Sequence, residues 1–217
     1  RVTVTANGTA DTTEQRIGIR TIQVSSKTGL LLNGQPRTMK GGCIHHDLGI
    51  LGAADHAAAE RRRIRLMKES GFDAIRAAHN PFGPAFLDAC DELGMLVVEE
   101  AFDEWVMGRT SFGLHVTFEQ CWEKDLEDMI TRDYNHPCIV MWSTGNEVEE
   151  RDGTADGFAW AKRLADKVRS LDASRPVSAT ACALFSEYGN RPAGGTTGNQ
   201  ALNMAYDTFA EGRDIWG

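Results

Sequence analysis

No apolar run in this 217-residue chain approaches the roughly 18 residues of a membrane-spanning helix. No basic stripe crosses it either: 23 lysines and arginines stand against 31 acids, a net charge of −8 with the acids spread along the chain. These two absences set aside membrane and nucleic-acid partners. The five cysteines, Cys43, Cys90, Cys121, Cys138 and Cys182, form no C-x-x-C pair and are odd in number. They read as buried free thiols, not a disulfide framework or a zinc site. Neither an initiator methionine nor a signal peptide opens the chain, so Arg1 is expected to lie inside a longer polypeptide.

What is present is an ordinary globular composition, 41% apolar and 25% charged. Residues 1–36 are rich in Thr, Val and Ile with Gly and Asn between them, a texture of short antiparallel strands at Arg1–Thr5 and Ile17–Ile22. Leu30–Pro36 reads as a hairpin turning at Asn33-Gly34. From Met39 onward short apolar runs alternate with helix patterns. The runs are Gly41–Ile44, Asp73–Ala78, Met95–Val98, Cys138–Trp142 and Pro176–Ala181. Between them, Pro84–Leu93 has Pro at its first turn and Gly94 past its end. Thr117-x-x-Gln120 reads as a capping box ahead of Phe118, Trp122, Leu126 and Met129. Phe158, Ala161, Ala165, Val168 and Leu171 line another helix.

Repeated βα units define an α/β fold with a parallel sheet. The turn after the first strand is His45-His46-Asp47-Leu48-Gly49, without the glycine fingerprint of a dinucleotide fold, so a (β/α)8 barrel is favoured. A whole barrel takes roughly 250 residues, and the length after Met39 allows about five of the eight units. A partial TIM barrel is therefore expected, open at its edges, with self-association of the truncated barrel, segment swapping or a rearranged C-terminal third as the consequence, and a homo-oligomer of the parent polypeptide as the alternative.

Each run ends in polar residues: His45-His46-Asp47, then Arg76 with His79-Asn80, then Glu99-Glu100 with Asp103-Glu104-Trp105, then Ser143–Glu147. In a parallel barrel these ends converge on the mouth where active sites lie. The strongest is Trp142-Ser-Thr-Gly-Asn-Glu147, a buried strand running into an Asn–Glu pair. A carboxyl there is expected to be desolvated, which suits a general acid. Glu149 and Glu150 read as an acidic lead-in to the next helix. Arg61, Arg62, Arg63 and Arg65 read as a solvated helix face, and His56 and His115 as surface or loop histidines.

Several stretches carry a resemblance to a known family. They are Gly18-Ile-Arg20, Leu32–Pro36, Lys40-Gly41 with His45-His46-Asp47, Leu66–Phe72 and Ile75–Pro81. They continue through Phe86–Gly94, Glu100–Trp105, Arg132–Pro137 and Met141–Glu147. In order and spacing the chain resembles glycoside hydrolase family 2, the β-galactosidase, β-glucuronidase and β-mannosidase group. The resemblance implies a retaining glycosidase with a (β/α)8 catalytic domain behind β-sandwich domains. Residues 1–36 would then be the end of an immunoglobulin-like domain with its linker hairpin, and 37–217 the first part of the barrel.

By the same resemblance Glu147 matches the acid/base, and Asn146 the contact to the sugar 2-hydroxyl. His45 and His79 match pocket positions, with Asp47 and Trp105 beside them as further substrate-binding candidates. Glu104 matches a carboxylate that helps hold Mg2+ in the magnesium-dependent β-galactosidases. The histidine two residues further on is Val106 here, so no cofactor is required: Glu104 is a substrate-binding candidate contacting sugar or protein instead, and Mg2+ at Glu104 stays an alternative. Cys43-Ile44 stands where the family often has Asn-Arg. Retention needs a second carboxyl, which the family places on the seventh strand. Glu187 and Glu211 do not follow apolar strand runs, so the nucleophile is expected beyond the chain, which alone would be inactive.

The substrate implied is a terminal β-linked glycoside, a β-galactoside first, with a glucuronide or mannoside as alternatives. Two other classes compete. A metal-dependent barrel hydrolase would use His45, His46, Asp47, His79 and the third-strand glutamates, against which stands the opposite orientation of the adjacent strand residues His45 and His46. A non-catalytic sugar-binding relative would keep the pocket alone, against which stands the retained Asn146-Glu147.

Overall fold

A computed structural model of the chain describes residues 1–180 apart from Gln15, Ser26 and Gly153. Strands β1 (Val2–Ala6) and β2 (Thr9–Thr13) form an exposed antiparallel hairpin. Strands β3 (Ile22–Ser25), β4 (Gly29–Leu32) and β5 (Gln35–Pro36) form a second antiparallel sheet. Its β4–β5 turn is Asn33-Gly34, with φ of 52° and 74°, the pair of positive angles that a two-residue hairpin needs.

The third sheet positions the site. Strands β6 (Gly41–Ile44), β7 (Ala74–Ala77), β8 (Leu96–Glu100), β9 (Ile139–Asn146) and β10 (Val177–Thr180) lie side by side in chain order, all parallel. Helices α1 (Ala57–Glu69), α2 (Pro84–Leu93), α3 (Phe118–Asp133) and α4 (Gly157–Leu171) connect them. This is the open, partial (β/α)8 barrel expected from the alternation. The apolar core lies between sheet and helices, where Ile75, Val97, Ile139 and Trp142 meet Phe86, Leu126 and Leu164.

Helix α2 begins and ends where its sequence says. Pro84 opens its first turn, and Gly94 closes it in the left-handed conformation at φ 70°. Three other expectations are corrected. Thr117 precedes α3 but makes no capping bond; its hydroxyl donates instead to the Leu114 carbonyl at 3.5 Å. On α4 the buried face turns away from Phe158, which is 37% exposed, and takes in Trp160 and Leu164.

Ile17–Ile22 is the third correction, because only Ile22 enters a strand. The segment before it is drawn to the base of the barrel. The Arg20 guanidinium donates to the carbonyl of Pro137 at 2.7 Å and to that of Ile139. Burial, with the Arg175 cation nearby, pulls this guanidinium down to about 10. Gly18 packs so closely there that a Cβ would lie 2.3 Å from the Pro137 ring.

A second tie at the base joins α2 to β9. Asp91 accepts from His136 Nδ1 at 2.7 Å and from the Cys138 N–H at 2.8 Å. These bonds outweigh burial and hold the Asp91 carboxyl below its usual range. The hydrogen bond that His136 donates to Asp91 raises His136 in turn. Cys138 Sγ completes a cluster with metal-ligating chemistry, but both Asp91 oxygens already accept hydrogen bonds from the chain.

Candidate active site

The alternation of β-strand side chains sorts the strand ends into two layers. On β8, Glu100 faces the inside of the barrel and Glu99 faces the helices. Glu99 is fully buried, and its Oε1 accepts the Phe82 N–H at 2.8 Å. Burial drives its carboxyl well above the ordinary range, with Asp133 adding to the effect. Glu99 thus supports the Pro81–Gly83 turn from behind and lies outside the mouth.

Glu100, also fully buried, anchors the mouth. Arg76 Nη2 lies 2.7 Å from both of its oxygens, and Arg76 Nε lies 3.1 Å from Oε2. His79 Nδ1 is 2.8 Å from Oε1, and the Ser143 hydroxyl donates to Oε2 at 2.7 Å. Burial would lower the Arg76 guanidinium, but the Glu100 charge raises it above its ordinary value. Arg76 Nη2 also donates to Asn146 Oδ1 at 2.9 Å, and Asn146 Nδ2 donates to Asp103 Oδ1 at 2.9 Å. Strands β7, β8 and β9 are thereby joined across their C-terminal ends.

Glu147 follows directly, in the left-handed region at φ 46°, a conformation that costs on the order of 1 kcal/mol or more for a residue with a side chain. Its Oε2 lies 3.5 Å from Arg109 Nη1, and its side chain is 45% exposed. Among the described residues this carboxyl is only partly covered. His45 packs edge-on against His79, with ring centroids 4.9 Å apart. Strand β6 stops at Ile44, so strand alternation does not separate His45 from His46. His46 instead stacks on Phe82 at 4.1 Å, with Nε2 3.0 Å from the Pro81 carbonyl. Asp47 is exposed on the same loop.

Two candidates lie elsewhere than the sequence implied. Trp105 is wholly buried, and its Nε1 donates to the Thr144 carbonyl at 2.8 Å. It props the end of β9 and offers no ring face to a ligand, which corrects its assignment as a substrate-binding residue. Glu104 is buried in its own loop. Its Oε2 accepts the Arg109 N–H at 2.9 Å, while Oε1 accepts the His115 N–H at 3.1 Å and lies 3.0 Å from His115 Nδ1. Burial alone would raise this carboxyl, but the hydrogen bonds hold it below the usual range.

Sequence reasoning missed three groups that shape the mouth. Arg63 is no solvated helix residue: Nη1 donates to the carbonyls of His45 and Asp47 at 2.9 and 3.1 Å, and its guanidinium lies over Phe82. His115 is no free surface histidine, because it is bound to Glu104. Glu150 is no solvated acid, because it is fully buried and accepts the Met107 N–H at 2.5 Å. An arginine in a charged run or a carboxylate in a loop shows no periodicity, so only the tertiary partner reveals its role. Cys182, Glu187, Glu211 and Trp216 lie outside the described residues.

Fold and mouth together define a partial α/β barrel whose strand ends carry an Asn–Glu pair, a buried Arg–Glu pair and paired histidines. Residues 22–190 match the family description "Glycosyl hydrolases family 2, TIM barrel domain". The chain belongs to glycoside hydrolase family 2. It is 38% identical to the β-galactosidase BoGH2A of Bacteroides ovatus over 193 residues, covering 75% of this chain and 23% of that protein. A crystal structure of a family 2 member from Bacteroides cellulosilyticus superposes with a TM-score of 0.78 at 41% identity, covering 93% of this chain and 24% of that one. The β-glucuronidase of Parabacteroides merdae superposes with a TM-score of 0.70 at 28% identity, covering 83% of this chain and 22% of that one. The chain thus spans about a quarter of the length of each of these relatives.

Proposed function

We propose that this chain carries the acid/base half of the active site of a retaining glycosidase that removes terminal β-linked sugars, β-galactosides first. The observation that supports this is the Asn146-Glu147 pair at the end of β9, tied through Arg76 to Glu100 and His79. Glu147 protonates the glycosidic oxygen as the C–O bond breaks, then takes a proton from the water that releases the sugar. Asn146 contacts the 2-hydroxyl, with His79, His45 and Asp47 lining the sugar site. The attacking carboxylate, about 5–5.5 Å from the acid in a retaining enzyme, belongs to a later strand beyond residue 217. Residues 1–36 then supply the end of the preceding immunoglobulin-like domain and its linker hairpin, the hairpin lying inside the barrel-domain match that begins at residue 22.

A cation at Glu104 would have to displace the Arg109 and His115 donors from its oxygens, and the neighbouring ligand position is Val106. The residues present do not fit the ion. A glucuronide is the second reading, favoured by the likeness to the Parabacteroides merdae β-glucuronidase.

Hydrolysis of aryl β-galactoside, β-glucuronide, β-mannoside and β-glucoside tests this, with residues 1–217 assayed beside the longer polypeptide that contains them. Turnover of the galactoside by the longer protein only is the expected result. Turnover by 1–217 alone would place the nucleophile within the chain and overturn the division of the site. No turnover of any sugar by either would favour a sugar-binding role.

A further inference from the structure

The loop from Ala101 to Thr117 joins β8 to α3 and passes directly beside Glu147. Two buried carboxylates shape it. Glu104 gathers the N–H groups of Arg109 and His115 together with the His115 ring, and Glu150 accepts the Met107 N–H from below. The packing leaves no room for side chains at two positions. A Cβ on Gly113 would sit 1.8 Å from Glu104 Oε1, and one on Gly108 would sit 2.0 Å from His115 Nδ1.

The clamp delivers the Arg109 guanidinium to the mouth. Nη2 donates to the Asp103 carbonyl at 2.6 Å and to the Asp103 carboxylate, while Nη1 lies 3.5 Å from Glu147 Oε2. Asp103 Oδ1 also accepts from Asn146 at 2.9 Å. Asp103, Arg109, Glu147 and Asn146 therefore close a ring around the Asn–Glu pair. Glu147 needs such a partner, because its side chain is 45% exposed and burial does not fix its rotamer.

We propose that Arg109 is a positioning residue for the Glu147 carboxyl, carried there by the Glu104–His115 clamp. This rests on Glu147 being the acid/base. Once Glu147 has given its proton to the leaving oxygen it is an anion, and Arg109 is the counter-charge already in place. The same contact aims the carboxyl at the leaving group for proton transfer in either direction. Arg109 acts through the Glu147 carboxyl alone. Its effect is confined to the transfers in which Glu147 gives or takes the proton.

That confinement is the readout. A dinitrophenyl leaving group departs without protonation, whereas an alkyl leaving group does not. In the longer active polypeptide, kcat/KM, which reports cleavage of the glycosidic bond and not the later release of the sugar, would be measured on both classes of glycoside for Arg109→Ala, Arg109→Lys, Gly113→Ala and Glu147→Gln. Arg109→Ala is expected to lose on the order of 10²-fold on the alkyl glycoside, within the range of general-acid effects, and only a few-fold on the dinitrophenyl glycoside. Gly113→Ala, which breaks the clamp without touching Arg109, is expected to follow the same split. Arg109→Lys is expected to recover part of the loss.

Equal losses on both substrates, or none, for Arg109→Ala while Glu147→Gln still splits them would overturn the role of Arg109 and leave the acid/base standing. Absence of a split for Glu147→Gln would remove the acid/base assignment and this proposal together. A misfolded Gly113→Ala leaves the Arg109 pair of variants to decide the matter.

Discussion

Arg76 and Glu100 form an ion pair across neighbouring strands, the carboxylate fully buried and the guanidinium mostly so, with Nη2 2.7 Å from each carboxylate oxygen. The pair reaches outward on both sides, to His79 through Glu100 and to Asn146 through Arg76.

Breaking this pair from one side strands a buried charge. Glu100→Gln keeps the shape and leaves the Arg76 guanidinium without its counter-ion, so a loss of about 3–5 kcal/mol is expected. Urea unfolding of the variant checks it. A shift smaller than about 0.5 kcal/mol, the scale of an ordinary surface substitution, would contradict the anchoring role.

The Asp91–His136 tie gives stability a pH signature. His136 is raised in the folded state, so its contribution is full below the unfolded value of about 6.5 and is lost as pH rises through the folded value. Asp91 is lowered, so its contribution is present above about 3.9 and is lost as pH falls through its folded value. The stability gap between the wild type and Asp91→Asn is therefore expected to be largest between these limits and to narrow in alkaline solution. Urea midpoints from pH 5 to 9 measure it, and a gap that widens with pH would contradict the tie.

Gly18 is predicted to tolerate no side chain, because the Pro137 ring it meets is rigid. Gly18→Ala should cost about 1–3 kcal/mol, the usual penalty of overpacking. Gly42→Ala, whose Cβ would meet Phe72 at an ordinary 3.6 Å, should change stability by less than about 0.5 kcal/mol. Thermal unfolding of the two variants compares them, and equal shifts would refute the close approach.

Much of the barrel was legible because its signals are local. The apolar run into Asn146-Glu147 marks a buried strand and its end, and Pro84 with Gly94 brackets α2. What escaped the sequence depends on partners far along the chain. The alternation at Ile17–Ile22 resembles a strand until Arg20 is drawn to the carbonyls of Pro137 and Ile139. Trp105 stands at a strand end as a sugar platform would, yet its ring turns beneath β9 to the Thr144 carbonyl. Arg109 and His115 sit in a loop without period, and only the folded position of Glu104 gives them a role.

The central claim is that Glu147 is the acid/base, and Glu147→Ala in the longer active polypeptide tests it most directly. Steady-state rates on aryl β-galactosides of graded leaving-group acidity would be measured with and without azide. The account predicts a near-normal kcat/KM on the dinitrophenyl galactoside with a lowered kcat, a deep loss of kcat/KM on poor leaving groups, and a rise of kcat on the dinitrophenyl galactoside with azide that yields the β-galactosyl azide. A uniform loss across all leaving groups, with no azide product, would contradict it.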